Sequence, residues 1–165
     1  MCIEIERKFL VDMKKINLKD AKEVLEIKQG YISRDIDKTI RVRTSNDKSF
    51  ITIKGKTNGI SRKEFEYEIP LKEGKQLMSN FCNNKFIEKT RYVFEINNKK
   101  WELDIFHKKN KGLIIAEIEL KDKNEKIILP DFIVKEVSED KRYYNSNLLD
   151  KPLTKKKFEL NDVNK

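Results

Sequence analysis

The chain has 165 residues, 38% of them hydrophobic and 39% charged, with a formal net charge of +9. Charge this dense but mixed in sign argues for a folded chain over a disordered one, and no apolar run is long enough for a bilayer-spanning helix. The lysine and arginine surplus points to an anionic partner: nucleic acid, a membrane surface or a phosphorylated small molecule.

Cys2 and Cys82 lie far apart with no metal or redox spacing, which suits a reduced cytoplasmic protein. The first residues mix acid and base, unlike a signal peptide. The expectation is one cytoplasmic domain over 1–153, followed by a polar tail over 154–165.

In chain order, IEIERKFL places Glu4, Glu6 and Lys8 on one face of a strand and Ile3, Ile5 and Phe9 on the other. KDAKEVLEIKQGYIS predicts a short helix over 20–25 and then a strand around Ile27 to Ser33. KTIRVRTS alternates Arg41 and Arg43 with Ile40 and Val42, and SFITIKGK alternates Thr52 and Lys54 with Ile51 and Ile53. SRKEFEYEIP sets Arg62, Glu64, Glu66 and Glu68 opposite Lys63, Phe65, Tyr67 and Ile69. Polar turns separate these runs, so they read as consecutive antiparallel strands.

Pro70 ends that series, and LKEGKQLMSNF predicts an amphipathic helix in spite of Gly74. FIEKTRYVFEI and KKWELDIF follow as a hairpin, with Trp101 and Leu103 on its apolar side. HKKNKG, with the only histidine, His107, reads as a turn and offers no Ser-His-Asp arrangement. LIIAEIEL alternates Glu117 and Glu119 with Ala116 and Ile118. Residues 121–130 suit a short helix or a loop, and IVKEVSEDKRYYNSNLL a last strand or turn followed by a short helix.

An antiparallel sheet with a wet outer face explains any one of these strands. Sorting by sign asks for more. Glu4/Glu6, Glu64/Glu66 and Glu117/Glu119 are acidic pairs two residues apart. Arg41/Arg43 and Lys89/Arg91 are basic pairs at the same spacing, joined by Lys8, Lys54 and the Lys141–Arg142 step. Like charges on adjacent positions of a face repel, by roughly tenths of a kcal/mol, and a counter-ligand removes that penalty. Carboxylates from several strands suit Mg²⁺ or Mn²⁺, and converging arginine and lysine suit phosphate oxygens. Alternation does not say which face is concave. An ordinary barrel buries the apolar face; an ionic lumen needs cover outside, such as helices over 20–25 and Leu71–Phe81.

One ordered set of motifs covers nearly the whole chain: E-x-E-x-K (Glu4, Glu6, Lys8), Q-G-Y (Gln29, Gly30, Tyr31), R-V-R (Arg41, Arg43), T-I-K (Lys54), S-R-x-E-x-E (Glu64, Glu66), E-K-T-R-Y (Lys89, Arg91), E-L-D-x-F (Asp104), A-E-I-E (Glu117, Glu119) and E-V-S-E-D-K-R-Y (Lys141, Arg142). This set resembles the CYTH superfamily, the triphosphate tunnel metalloenzymes, and within it small bacterial members that hydrolyse inorganic triphosphate. The resemblance implies a mainly antiparallel β (α+β) fold: a closed eight-stranded tunnel with a charged lumen and a few helices outside.

It also implies roles. Glu4, Glu6, Glu64, Glu66, Asp104, Glu117 and Glu119 match acidic, metal-side positions for Mg²⁺ or Mn²⁺. Lys8, Arg41, Arg43, Lys54, Lys89, Arg91 and the pair Lys141 and Arg142 match basic, phosphate-side positions, one of that last pair facing inward. Tyr31 is a candidate proton acceptor, with cations such as Lys54 as its company. The implied activity is metal-dependent hydrolysis of a small-molecule triphosphate. A class IV adenylate cyclase and a nucleoside or thiamine triphosphatase would use the same chemistry. A polyphosphate or nucleic-acid binder without turnover fits the net charge, but acidic pairs on the same faces count against it. Oligomeric state, a homodimer included, stays open.

Overall fold

The computed structural model describes residues 3–153, so Cys2 and the expected tail over 154–165 lie outside the described residues. Nine strands carry the alternation: β1 (Ile3–Val11), β2 (Glu23–Asp35), β3 (Lys38–Ser45), β4 (Lys48–Gly55), β5 (Ser61–Ile69), β6 (Ile87–Ile96), β7 (Lys99–Phe106), β8 (Ile114–Glu119) and β9 (Ile133–Glu136). Two α-helices accompany them, α1 (Leu71–Phe81) and α2 (Asn145–Leu148). The strands pair in the order β5-β4-β3-β2-β6-β7-β8-β1, and β5 returns to β1, so eight of them close into a barrel. The ninth is an addition. One edge of β1 is shared, with Ile3–Ile5 taken by β5 and Phe9–Val11 by β9.

Local chemistry explains the connections. Asn97 and Asn98 both adopt positive φ (52° and 59°) between β6 and β7, the backbone that a two-residue hairpin with native twist requires. The expected helix over 20–25 is absent. A 3-10 turn, Leu18–Asp20, is capped by Asn17, and β2 begins at Glu23. From Glu23 onward the backbone pairs residue by residue with β6, and that ladder overrides helix propensity. Residues 121–130 form no helix or strand. The α1 prediction holds, and Gly74 is its point of contact: a Cβ there would come within 1.7 Å of Ser49 Oγ on β4.

The barrel is inside out. Outward positions of β1, β7 and β8 (Phe9, Trp101, Leu103, Ala116, Ile118) are buried beneath Met13, Ile16, Leu18, Ile127 and Phe132 from the flanking loops. Outward residues of β3 and β4 (Val42, Ile51) lie beneath Leu77 and Met78 of α1, with Cys82 just past its end. Each large apolar side chain buried this way contributes about 1.5–3 kcal/mol. Packing outside the wall therefore holds the barrel closed, and the lumen is left for charge.

A third apolar cluster lies within the lumen, at one end. Following each inward row two residues further takes Lys8 to Leu10, Lys89 to Ile87, Asp104 to Phe106 and Glu117 to Ile115. These four pack with Leu113, Val137, Tyr143, Leu148 and Leu153. The C-terminal segment so stoppers that end of the tunnel with hydrocarbon.

Candidate active site

Above the stopper lies a cavity of about 330 Å³ whose wall is rich in charge of both signs. It is lined by Glu4, Glu6 and Lys8 of β1, Arg41 and Arg43 of β3, Lys54 of β4, Glu64 and Glu66 of β5, Lys89 and Arg91 of β6, and Glu117 and Glu119 of β8. Charges that alternate far apart in the chain thus meet around one space. Tyr31 joins them from β2.

Carboxylates dominate one side. Register places Glu6 directly opposite Glu119, and Glu102 opposite Glu117, two like-charge cross-strand pairs. Lys54 Nζ sits 3.0 and 2.9 Å from the two Glu4 oxygens and 3.0 Å from Glu64. Lys8 Nζ lies 3.5 Å from Glu6 and 3.6 Å from Glu117. Burial alone would lower the Lys8 pKa, but Glu117, Glu6 and Glu4 outweigh it and hold the ammonium above the ordinary lysine range. Glu119 has no hydrogen bond or ion pair among the described residues. Partial burial pushes its carboxyl up, and Glu4, Glu64, Glu6 and Glu102 push it further.

Cations dominate the other side. Arg41 Nη2 donates to Thr52 at 3.2 Å and to Glu66 at 3.3 Å, and Arg43 Nη2 lies 3.5 Å from the same carboxylate. Burial opposes the ionised Glu66, but the Thr52 hydroxyl, donating at 2.6 Å, and both arginines hold its pKa down. Burial, with Arg41 alongside, pushes Arg43 down to about 10. The Nε atoms of Arg41 and Arg43 are buried without a partner, two donors waiting for an acceptor.

Beside them is a closed ion network. Asp104 is fully buried and accepts from Lys89 Nζ at 2.6 Å and from Arg91 at 2.7 and 2.8 Å. Burial pushes Lys89 down to about 8 in spite of Asp104. Arg91 also pairs with Glu102 and lies 3.4 Å from Glu117. At the stoppered end Lys89 donates to Asn145 Oδ1 at 3.3 Å, and the Lys8 ammonium lies 5.8 Å from the Tyr144 ring centroid.

The CYTH domain profile matches residues 2–151. The chain belongs to the CYTH family. A protein of Acetivibrio thermocellus named inorganic triphosphatase is 48% identical over 149 residues, 90% of this chain and 94% of its own. One of the same name from Nitrosomonas europaea is 33% identical over 150 residues, 88% and 95% of the two chains. A solved inorganic triphosphatase superposes with a TM-score of 0.62 at 29% identity, covering 90% of this chain and 95% of its own. Triphosphatases of the CYTH family depend on a metal.

The CYTH tunnel brings together every expected acidic residue except Asp104, which lies buried behind Lys89 and Arg91. Two expected basic residues do not take part. Lys141 and Arg142 stand on a 3-10 turn, Lys141–Tyr143, are exposed, and do not line the cavity; the Arg142 guanidinium folds back on Asp140. Alternation cannot be read through such a turn. Tyr31 and Lys54 are not a bonded pair: Lys54 is held by Glu4 and Glu64, while Tyr31 interacts electrostatically with Lys8. Arg62, Lys100 and Glu102 also line the tunnel and were missed. Arg62 and Glu102 share a face with Glu64 and Asp104, so extending the same alternation would have found both.

The carboxylate side has the donor chemistry for a metal. Glu119 faces like-charged neighbours with no cation on it, and oxygen donors suit a hard divalent ion. With Lys54 and Lys8 interleaved, no three acidic groups among the described residues are gathered tightly enough to hold one as they stand.

Proposed function

We propose that this protein hydrolyses inorganic triphosphate to diphosphate and phosphate, with Mg²⁺ or Mn²⁺, in the cytoplasm. The observation that carries the reading is the pair of uncompensated poles across one cavity. Arg41 and Arg43 keep buried donors without acceptors, and Glu119 keeps a carboxylate without a cation. A triphosphate with its metal supplies both missing partners. The relatives' shared name agrees. At about 330 Å³ the cavity stands at the small end of ligand pockets, which suits three linked phosphates better than a nucleotide. Cys82, free and buried, suits a reducing compartment, and no helix among the described residues is long and apolar enough to cross a membrane.

Phosphoryl transfer is governed by alignment and charge. Arg41, Arg43, Lys89 and Arg91 bind non-bridging oxygens and neutralise charge on the phosphoryl group in transit. Lys8 and Lys54 hold the substrate's other oxygens while keeping the acidic residues apart. When bound, a metal would be held by Glu4, Glu6, Glu64, Glu117 and Glu119, and it would supply Lewis-acid charge and a more acidic water. Water's oxygen bonds to the terminal phosphorus as the bridging P–O bond breaks; Tyr31 Oη, acting as the phenolate, takes the water's proton and becomes the phenol, and diphosphate leaves. Asp104 and Glu66 hold the cations in place.

The test is phosphate release from tripolyphosphate, ATP and thiamine triphosphate, each with Mg²⁺, Mn²⁺ or EDTA, with cyclic AMP followed in the ATP reactions. The expected result is metal-dependent release that strongly favours tripolyphosphate. Cyclic AMP formation, or triphosphate binding without release, contradicts the reading.

A further inference from the structure

The lumen's charged side chains have an uncharged neighbour. Gln29, from an inward position of β2, has no exposed surface. Its Nε2 donates to Tyr31 Oη at 3.2 Å, and its Oε1 has no partner. Methionine or leucine would fill this space without stranding an acceptor, so packing does not account for an amide there.

The backbone around it is fixed at two points. A Cβ on Gly30 would lie 2.8 Å from Cys82 Cβ and 3.1 Å from the Phe86 ring, so only glycine lets β2 press this closely on the segment after α1. The β2–β3 register slips just past Tyr31, where Tyr31 opposes Arg41 but Ser33 opposes Ile40. Such a bulge re-aims the side chain beside it. From below, Gln29 grips the phenol. Tyr31 itself is 8% exposed and lines the cavity.

We infer that Gln29 is a positioning residue: its amide N–H fixes Tyr31 Oη toward the lumen as the proton acceptor, an assignment that rests on the hydrolase reading above. Gln29 does not line the cavity and acts only through Tyr31. A donor on that oxygen fixes where its lone pairs point, much as partners behind a metal ligand set its orientation.

The test is Gln29→Met, alone and combined with Tyr31→Phe, assayed with tripolyphosphate, with Gln29→Leu in reserve should the methionine variant not fold. The expected result is a kcat at least ten-fold lower with KM within two-fold, and no further loss when Gln29→Met is added to Tyr31→Phe. Effects that multiply, or a change in KM alone, overturn the inference. NMR of protein labelled at tyrosine Cζ gives a readout independent of turnover. The resonance that Tyr31→Phe removes shifts in Gln29→Met, and an unmoved resonance overturns the inference. If the wild type releases no phosphate, the hydrolase reading fails, and the resonance alone decides whether Gln29 holds the phenol.

Discussion

The two sides of the tunnel treat charge differently. On the cation side each carboxylate serves as a fixed counter-ion: Asp104 is fully buried between Lys89 and Arg91, and Glu66 takes Arg41, Arg43 and Thr52. On the carboxylate side Lys8 and Lys54 are each spread over two acidic residues, Arg91 reaches across to Glu102 and Glu117, and Glu119 is left over. Asp104 and Glu66, compensated by cations already in the wall, are scaffold, built in whether or not a ligand is present. Uncompensated groups, Glu119 and the Nε atoms of Arg41 and Arg43, mark where ligand is expected.

That distinction can be broken most forcefully at Asp104. Asp104→Asn leaves buried Lys89 without its carboxylate and Arg91 with only Glu102 and Glu117, and should cost about 3–5 kcal/mol of folding stability, measured by urea unfolding; a near-neutral change would mean that Asp104 is not scaffold. Arg43→Met removes one uncompensated donor. It should raise KM for tripolyphosphate about ten- to a hundred-fold, since hydrogen bonds to charged groups are worth about 1.5–3 kcal/mol, and leave the melting temperature nearly unchanged.

A smaller effect follows from Lys89, whose burial lowers its pKa to about 8. Below that pH the ammonium is charged and available to phosphate; above it the folded protein releases the proton while the unfolded chain retains it to about 10.4. Stability therefore gains with rising pH in that window while triphosphate binding weakens. KM measured from pH 7 to 9.5 should climb in the wild type and stay flat in Lys89→Arg. The smallest expected effect is on stability at Glu119, whose raised pKa means that its ionised form opposes folding. Glu119→Gln should raise the metal-free melting temperature at neutral pH by about 1–2 °C, and that gain should vanish in acid.

Much of this was legible in the strands themselves. Two-residue alternation located the lumen positions of β1, β3, β4, β5 and β8, because a strand offers each side chain only two faces. It could not say which face was concave, since that depends on what covers the outside: α1 and the loops packed around Trp101. At Asp104 sign alone does not separate a metal-side carboxylate from a counter-ion; the fold sets it, fully buried, between Lys89 and Arg91. Pattern failed at Lys141 and Arg142 because a 3-10 turn has no two-residue period. Propensity failed over 20–25 because pairing with β6 outweighed it. Gln29 carried no charge to sort; the Q-G-Y motif included it, but its part came to light only through its burial and its bond to Tyr31.

The central claim is that Glu119 is the uncompensated end of the carboxylate side and Glu66 a counter-ion of the cation side. Mn²⁺ titration followed by electron paramagnetic resonance, in Glu119→Gln and Glu66→Gln without substrate, tests it most directly. The account predicts at least ten-fold weaker binding for Glu119→Gln and less than two-fold change for Glu66→Gln. Equal losses, or a loss confined to Glu66→Gln, would contradict it.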